Sequence, residues 1–233
     1  MFIALSVLFL TSSGQGIILS EDAKSGHYKT LDSALCHLDS LIAIKPSKQL
    51  FVQRGDVYFY QYTNEGYRRA FDEYTKAMQL STDSQALLLI RRGSAASMYD
   101  KELAFKDYSE SIRIDSMAGG YGARATLLMF KKRYEDAIND YDKEIAILGD
   151  SMASVYAYTL WRGYAKYKLL RYNEALKDLY IATRYVANNG IAYPYIAATK
   201  RDMGQTKEAC EDYKLAVYWG HQEYQLLVDK YCK

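Results

Sequence analysis

The residues that could perform catalysis are few and lie far apart along the chain. The three histidines are His27, His37 and His221, and they do not combine with the cysteines at the spacing of a zinc site. No serine lies in the Gly-x-Ser-x-Gly motif that presents the nucleophile of many hydrolases. The sequence therefore predicts a protein that is not an enzyme, with no catalytic residue, no metal ligand and no cofactor.

One glycine-rich stretch, residues 120–125, matches the loose form of a dinucleotide-binding fingerprint. That fingerprint binds a nucleotide only where a strand precedes it and a helix follows it in a βαβ unit. Residues 104–114, just before it, have the periodicity of a helix instead. We therefore expect this stretch to begin a helix and to bind no nucleotide.

Two of the three cysteines could form a disulfide. Cys210 lies ten residues before Gly220, and Cys232 lies twelve residues after it. If helices on either side of Gly220 fold back antiparallel, the two sulfur atoms lie at similar heights and can bond. The alternative is a pair of buried thiols, as in a cytosolic protein. The third cysteine, Cys36, is expected to be a free buried thiol.

Arginines and carboxylates recur at regular intervals. The arginines are Arg54, Arg92, Arg124 and Arg162, and the matching acids are Glu73, Asp107, Asp140, Asp178 and Asp212. Such a stripe could bind a charged ligand. Similar numbers at fixed positions favour a ladder of ion pairs between neighbouring helices, in which partly buried charges satisfy each other.

The elements that position these residues follow from a repeat of about 34 residues. A small residue opens the second helix of each copy, and the spacings between these residues are 36, 34, 33, 38 and 34: Ala34, Ala70, Ala104, Ala137, Ala175 and Ala209. Another small residue lies in the preceding helix, as with Gly163 in the clearest copy, residues 159–185. Self-similarity at this period predicts helical hairpins that stack on one another.

This pattern resembles the tetratricopeptide repeat (TPR), and in particular small exported bacterial TPR proteins. Tyr134-Glu-Asp-Ala137 and Tyr172-Asn-Glu-Ala175 match the family motif closely, whereas Glu144 replaces a family alanine. The resemblance implies an all-α fold, a right-handed superhelical solenoid of stacked antiparallel helix pairs. We expect an N-terminal partial repeat at 15–46, about five hairpins at 47–220, and a C-terminal capping helix at 221–233.

The N-terminus predicts export. Residues 2–10 are apolar and small residues follow them, so residues 1–14 form a candidate signal peptide, although no basic residue precedes the apolar run. An uncleaved anchor is the alternative, and it would be the only membrane contact that we expect. The net charge of +2 gives no bias toward nucleic acid. The expected location is the periplasm or the outside of the cell.

The resemblance also implies that first-helix positions line a concave face that binds partners. Those positions carry mainly aromatic side chains: Phe59, Tyr60, Arg91, Met129, Phe130, Trp161, Tyr164, Tyr167, Lys168 and Tyr195. We therefore predict a non-enzymatic scaffold that binds a protein or peptide. The alternatives are that these rings only pack on the next hairpin, and that the protein is a structural or self-assembly module of an envelope complex.

Overall fold

The computed structural model describes residues 31–116, 119–149, 152–184 and 190–232. All regular structure in these ranges is helical, which confirms the predicted all-α class. The candidate signal peptide and residues 15–30 of the predicted partial repeat lie outside the described residues. Within those ranges, no helix has both the length and the apolar composition needed to cross a membrane.

The chain divides into two compact units, the first of which ends at Gly120. Its helices pack in sequence order, with antiparallel hairpins formed by α2 with α3 and by α4 with α5. The bounds of the five helices are Leu31–Ile44 (α1), Lys48–Phe59 (α2), Asn64–Leu80 (α3), Gln85–Ala96 (α4) and Lys101–Ile114 (α5).

The second unit comprises residues 121–233 and repeats the same arrangement. Its hairpins are α6 with α7, α8 with α9, and α10 with α11. The bounds are Gly120–Phe130 (α6), Tyr134–Leu148 (α7), Met152–Lys168 (α8), Tyr172–Thr183 (α9), Tyr193–Asp202 (α10), Thr206–Tyr218 (α11) and Gln225–Tyr231 (α12).

Polar caps and small residues explain why the helices form and pair. Ser47, Thr63 and Asp100 each accept a hydrogen bond from a backbone N–H in the first turn of α2, α3 and α5. Gly163 lies against α9, where an added Cβ would be 3.0 Å from Leu179 Cγ. The missing side chain therefore lets α8 and α9 approach closely, as the repeat pattern predicts.

The C-terminal segment packs on the last hairpin. It comprises a short 3-10 turn, Gln222–Tyr224, followed by α12, rather than one continuous helix. Leu227, Val228 and Tyr231 contact a buried cluster that α10 and α11 form around Tyr213. Cys210 and Cys232 form a disulfide that joins α11 to the end of α12, with Cα atoms 5.2 Å apart.

The expectation that Cys36 is buried is wrong, because this thiol is free and exposed. The buried face of α1 is occupied by Ala34 and Leu38. Cys36 lies two residues from each of them, which is about 200° around the helix axis and therefore on the opposite side.

Candidate functional site

The predicted arginines and acids lie within hydrogen-bond distance of each other inside each hairpin. The guanidinium of Arg162 on α8 donates two hydrogen bonds to Asp178 on α9, at 2.8 and 2.7 Å. Arg92 and Arg124 form the same two-bond contacts with Asp107 and Asp140, and Arg54 pairs with Glu73 at 2.8 Å. All four acids are buried.

Further contacts engage these charges. Arg162 also pairs with Asp142 of the preceding hairpin at 2.6 Å, and Lys166 reaches Asp178 at 2.7 Å. In the last hairpin Asp212 pairs with Lys200 at 2.6 Å, and Lys200 occupies the repeat position of Lys166, not that of Arg162. Burial raises the pKa of Asp212, and Lys200 opposes that shift. The basic and acidic residues of this stripe therefore pair with each other, so few of their charges are available to a charged ligand.

Glu144 lies buried inside the second unit, with only 2% of its surface exposed. Its carboxylate accepts a hydrogen bond from the backbone N–H of Gly122 at 3.0 Å. Burial raises the pKa of Glu144, while this hydrogen bond lowers it and the charge of Asp140 raises it further. The substitution of the family alanine therefore adds a polar contact between α7 and α6.

Gly122 belongs to the stretch that resembles a dinucleotide fingerprint, and packing accounts for it. An added Cβ would lie 2.6 Å from the ring of Tyr158 on α8. Gly120 begins α6, and the described residues before it contain helix α5 and no strand. The glycines here serve helix packing.

In the first unit, two of the predicted site residues belong to a small aromatic group. The ring of Phe59 lies 6.0 Å from that of Tyr60 and 5.3 Å from that of Tyr67, and Tyr60 also contacts Tyr62 at 6.1 Å between centroids. Phe59 also packs against the core around Tyr74, so it contributes more to the fold than to the surface.

Arg91, the third predicted site residue of the first unit, pairs with Asp56. Tyr74 donates a second hydrogen bond to Asp56 at 2.7 Å. Burial raises the pKa of Asp56, although Arg91 and Tyr74 oppose the shift. Arg91 is therefore held inside the unit by a carboxylate and is not a free cation for a ligand.

Four predicted site residues of the second unit form one continuous group, the Trp161 cluster: Trp161, Tyr164, Tyr167 and Tyr195. The first three lie on one side of α8 because they are spaced three residues apart. Tyr195 comes from α10 and lies 6.3 Å from Trp161 and 5.0 Å from Tyr164 between ring centroids. The four rings are half-buried, so one side of the cluster remains accessible.

Polar groups border the Trp161 cluster. The ammonium of Lys168 lies 5.3 Å from the Tyr164 ring centroid and 5.6 Å from that of Tyr167. Tyr167 donates a hydrogen bond from its hydroxyl to Asp202 at 2.8 Å. Burial, together with Asp202, raises the pKa of Tyr167 to about 12, and burial raises that of Tyr195 to about 12. The cluster thus presents aromatic rings and tyrosine hydroxyls beside the cation of Lys168.

Met129 and Phe130, also predicted for the site, belong to α6 and not to the cluster, and one neighbour of the cluster, Tyr172, was not predicted as a site residue. Met129 is half-buried, and Phe130 is 57% exposed at the end of α6. Tyr172 contacts Tyr167 at 6.2 Å between centroids. Its position in the repeat motif marked Tyr172 as a packing residue, whereas Asp202 lies at a first-helix position that the TPR resemblance assigns to the concave face.

No protein-family model matches the chain, and no curated protein matches it in sequence. Solved structures do match. A chain of the APC/C hetero-tetramer Cut9–Hcn1 superposes with a TM-score of 0.71 at 14% identity, covering 88% of this chain. A tetratricopeptide repeat protein from Parabacteroides merdae superposes with a TM-score of 0.66 at 18% identity, over 86% of this chain and 77% of its own. The chain has the TPR fold.

A third match agrees, the C-terminal part of a TPR repeat-containing protein from Cytophaga hutchinsonii. Its TM-score is 0.66 at 16% identity, over 88% of this chain and 78% of its own. The present chain spans only 40% of the length of the matched chain in the Cut9–Hcn1 structure. At these identities the likeness concerns the TPR fold alone.

Proposed function

We propose that this TPR array is a non-enzymatic scaffold that binds a protein or peptide through the Trp161 cluster. The observation that carries the proposal is the group of half-buried rings on α8 and α10. Trp161 and Tyr195 pack against the core cluster around Leu179, yet all four rings remain partly exposed. Clustered Trp and Tyr side chains contribute much of the binding energy in protein interfaces, because they bury a large area at little entropic cost.

Export fits this proposal. The disulfide between Cys210 and Cys232 suits an oxidising compartment, since structural disulfides are rare in the reducing cytosol. We place the scaffold in the periplasm or outside the cell, where the candidate signal peptide would direct it. The partner would then be another exported or envelope protein.

A pull-down from the native organism tests the binding surface. The double variant Trp161→Ala, Tyr164→Ala removes two adjacent rings that lie 6.2 Å apart between centroids. We expect it to lose at least about tenfold in affinity for a partner that wild type retains, as expected when central aromatic anchors are removed. The matched control is Tyr218→Ala, because Tyr218 is 81% exposed on α11 and lies outside the cluster.

Self-assembly is the second candidate, and the exposed apolar residues of α11 favour it. Leu215 and Tyr218 on α11, with Trp219 directly after its end, leave apolar surface uncovered. If assembly is the function, Tyr218→Ala shifts an oligomer toward monomer in light-scattering measurements, and the Trp161 double variant does not. An unchanged partner set in the double variant, together with this shift, would replace the first proposal by the second.

A further inference from the structure

The Trp161 cluster contains three hydrogen-bond donors that the chain itself does not use. They are the indole N–H of Trp161 and the hydroxyls of Tyr164 and Tyr195. None of the three has a hydrogen-bond partner among the residues that the structure describes. Half-buried Trp and Tyr side chains usually pair these groups. Water can satisfy them in the free protein, whereas a bound partner displaces that water and must supply the acceptors.

The carboxylate that borders the cluster is already engaged. Asp202 accepts a hydrogen bond from Tyr167 at 2.8 Å and pairs with Arg201 at 2.7 Å. The indole N–H of Trp161 can only donate, and each tyrosine hydroxyl carries a proton that needs an acceptor. The surface therefore suits a partner segment that presents more acceptors than donors.

The backbone conformation of a partner decides whether it can meet this requirement. An α-helix uses its carbonyls internally, so it would leave the three donors unpaired, and each unpaired group lowers affinity about fivefold or more. A β-strand carries as many N–H groups as carbonyls, and the helices α8 and α10 have no sheet edge to pair with them. A proline-rich segment in the polyproline II conformation has free carbonyls and few N–H groups, so it meets the requirement.

The spacing of the rings also fits a polyproline II segment. Trp161, Tyr164 and Tyr167 follow one side of α8, with successive ring centroids 6.2 Å apart. Between Trp161 and Tyr167 the helix rises about 9 Å, and one polyproline II turn of three residues also rises about 9 Å. Prolines three residues apart can therefore lie at the heights of Trp161 and Tyr167. Tyr195, 5.0 Å from Tyr164 between centroids, extends the surface from α10.

We propose that the Trp161 cluster binds a proline-rich segment of its protein partner in the polyproline II conformation. The proline rings pack on the aromatic side chains, and backbone carbonyls of the segment accept hydrogen bonds from Trp161, Tyr164 and Tyr195. Such a segment is already ordered before it binds, which lowers the entropic cost of association. This inference rests on the proposed function, because it names the chemistry of the partner that the same cluster binds.

Tryptophan fluorescence measures binding at the cluster directly. The chain has two tryptophans, Trp161 and Trp219, so Trp219→Phe leaves Trp161 as the only one that emits. The full chain with this substitution is the parent for the titrations. It is titrated with a polyproline peptide of about 16 residues and, separately, with an amphipathic leucine-containing peptide of the same length that forms a helix.

Tyrosine-to-phenylalanine variants of the parent test the hydrogen bonds, because they keep the ring and remove only the donor. Tyr164→Phe and Tyr195→Phe should each lower the affinity for polyproline about fivefold. Their melting temperatures should not fall, since these hydroxyls bond to no other described residue. The matched control is Tyr218→Phe, which removes a hydroxyl from a residue that is 81% exposed outside the cluster, and it should bind as the parent does.

We expect polyproline to change the emission of Trp161 in a saturable way and to bind at least about tenfold more tightly than the helical peptide, which cannot pair the donors. Tighter binding of the helical peptide would overturn the inference, and so would an unchanged Trp161 emission with polyproline. Equal affinities of the parent and both cluster variants would overturn it as well. The pull-down with the Trp161 double variant decides the proposed function separately. A partner lost there, together with a failed polyproline titration, would leave the binding surface in place and reject only the proline-rich segment.

Discussion

Glu144 departs from the repeat pattern, and burial of its carboxylate should measurably lower the stability of the protein. The sequence showed that a carboxylate replaces a small residue, but it could not show the partner. That partner is the backbone N–H of Gly122. Because nearly every residue has a backbone N–H, a sequence pattern cannot indicate which one is used. The Arg–carboxylate pairs, by contrast, could be predicted residue by residue, because both partners recur at fixed positions.

Replacing Glu144 with glutamine should stabilise the protein at neutral pH. Glutamine keeps an oxygen that accepts from Gly122 and removes a buried charge. Burial raises the pKa of Glu144 above its ordinary 4.5, so between pH 4.5 and the raised value the folded chain binds a proton that the unfolded chain does not. Wild-type stability therefore falls as pH rises through that window.

The advantage of Glu144→Gln should accordingly be small near pH 4.5 and grow as pH rises, in thermal unfolding at several pH values. The control is Glu208→Gln, which makes the same chemical change on the exposed side of α11. If Glu144→Gln is less stable than wild type at pH values above that window, the charge of Glu144 is required for stability.

Arg162 allows the ion-pair ladder to be tested at one hairpin. Arg162→Leu leaves the buried carboxylate of Asp178 with Lys166 as its remaining cation, so we expect a loss of about 2 kcal/mol or more in the free energy of unfolding. Arg113→Leu, which breaks an exposed pair with Glu110, should lower the stability far less, because solvent screens that pair. Partner affinity should not change. Unchanged stability with lost binding would show that the arginine serves a ligand instead.

At the scale of elements, α12 depends on the disulfide that holds it. The helix has seven residues and none of them is buried, and a helix this short is not stable alone in water. The bond between Cys210 and Cys232, with a sequence separation of 22, fastens it to α11. The sequence predicted this bond, because Cys210 and Cys232 lie at similar distances from Gly220 along the chain. The 3-10 turn ahead of α12 left no such signal, because one turn has no periodicity to detect.

Cys232→Ser should therefore release α12 and weaken the last hairpin. Removing a disulfide that closes a loop of this size costs about 3 kcal/mol. We expect faster hydrogen exchange in α12 and α11, with little change in α2 to α5. Cys36→Ser is the matched control, since that thiol is free and exposed. Unchanged protection of α12 in Cys232→Ser would show that side-chain packing alone holds the cap.

At the scale of the whole molecule, the fold could be predicted and the partner could not, for one physical reason. Ala175, Gly163 and Leu179 satisfy a packing requirement that every hairpin shares, so they recur and reveal the TPR fold. Trp161 also packs against this core, but Trp161 and Tyr164 do not recur at the matching positions of the other hairpins. Their types mark a surface, but only the structure shows that Tyr195 from another hairpin completes it.

Site-specific photo-crosslinking tests the central claim, that a protein partner contacts the Trp161 cluster. A photoreactive phenylalanine analogue replaces Tyr164 in one variant and Tyr218 in the other, and both are irradiated with the partner recovered by wild type. We expect a covalent adduct with that partner from position 164 and none from position 218. An adduct from position 218 alone would contradict the claim and place binding on α11.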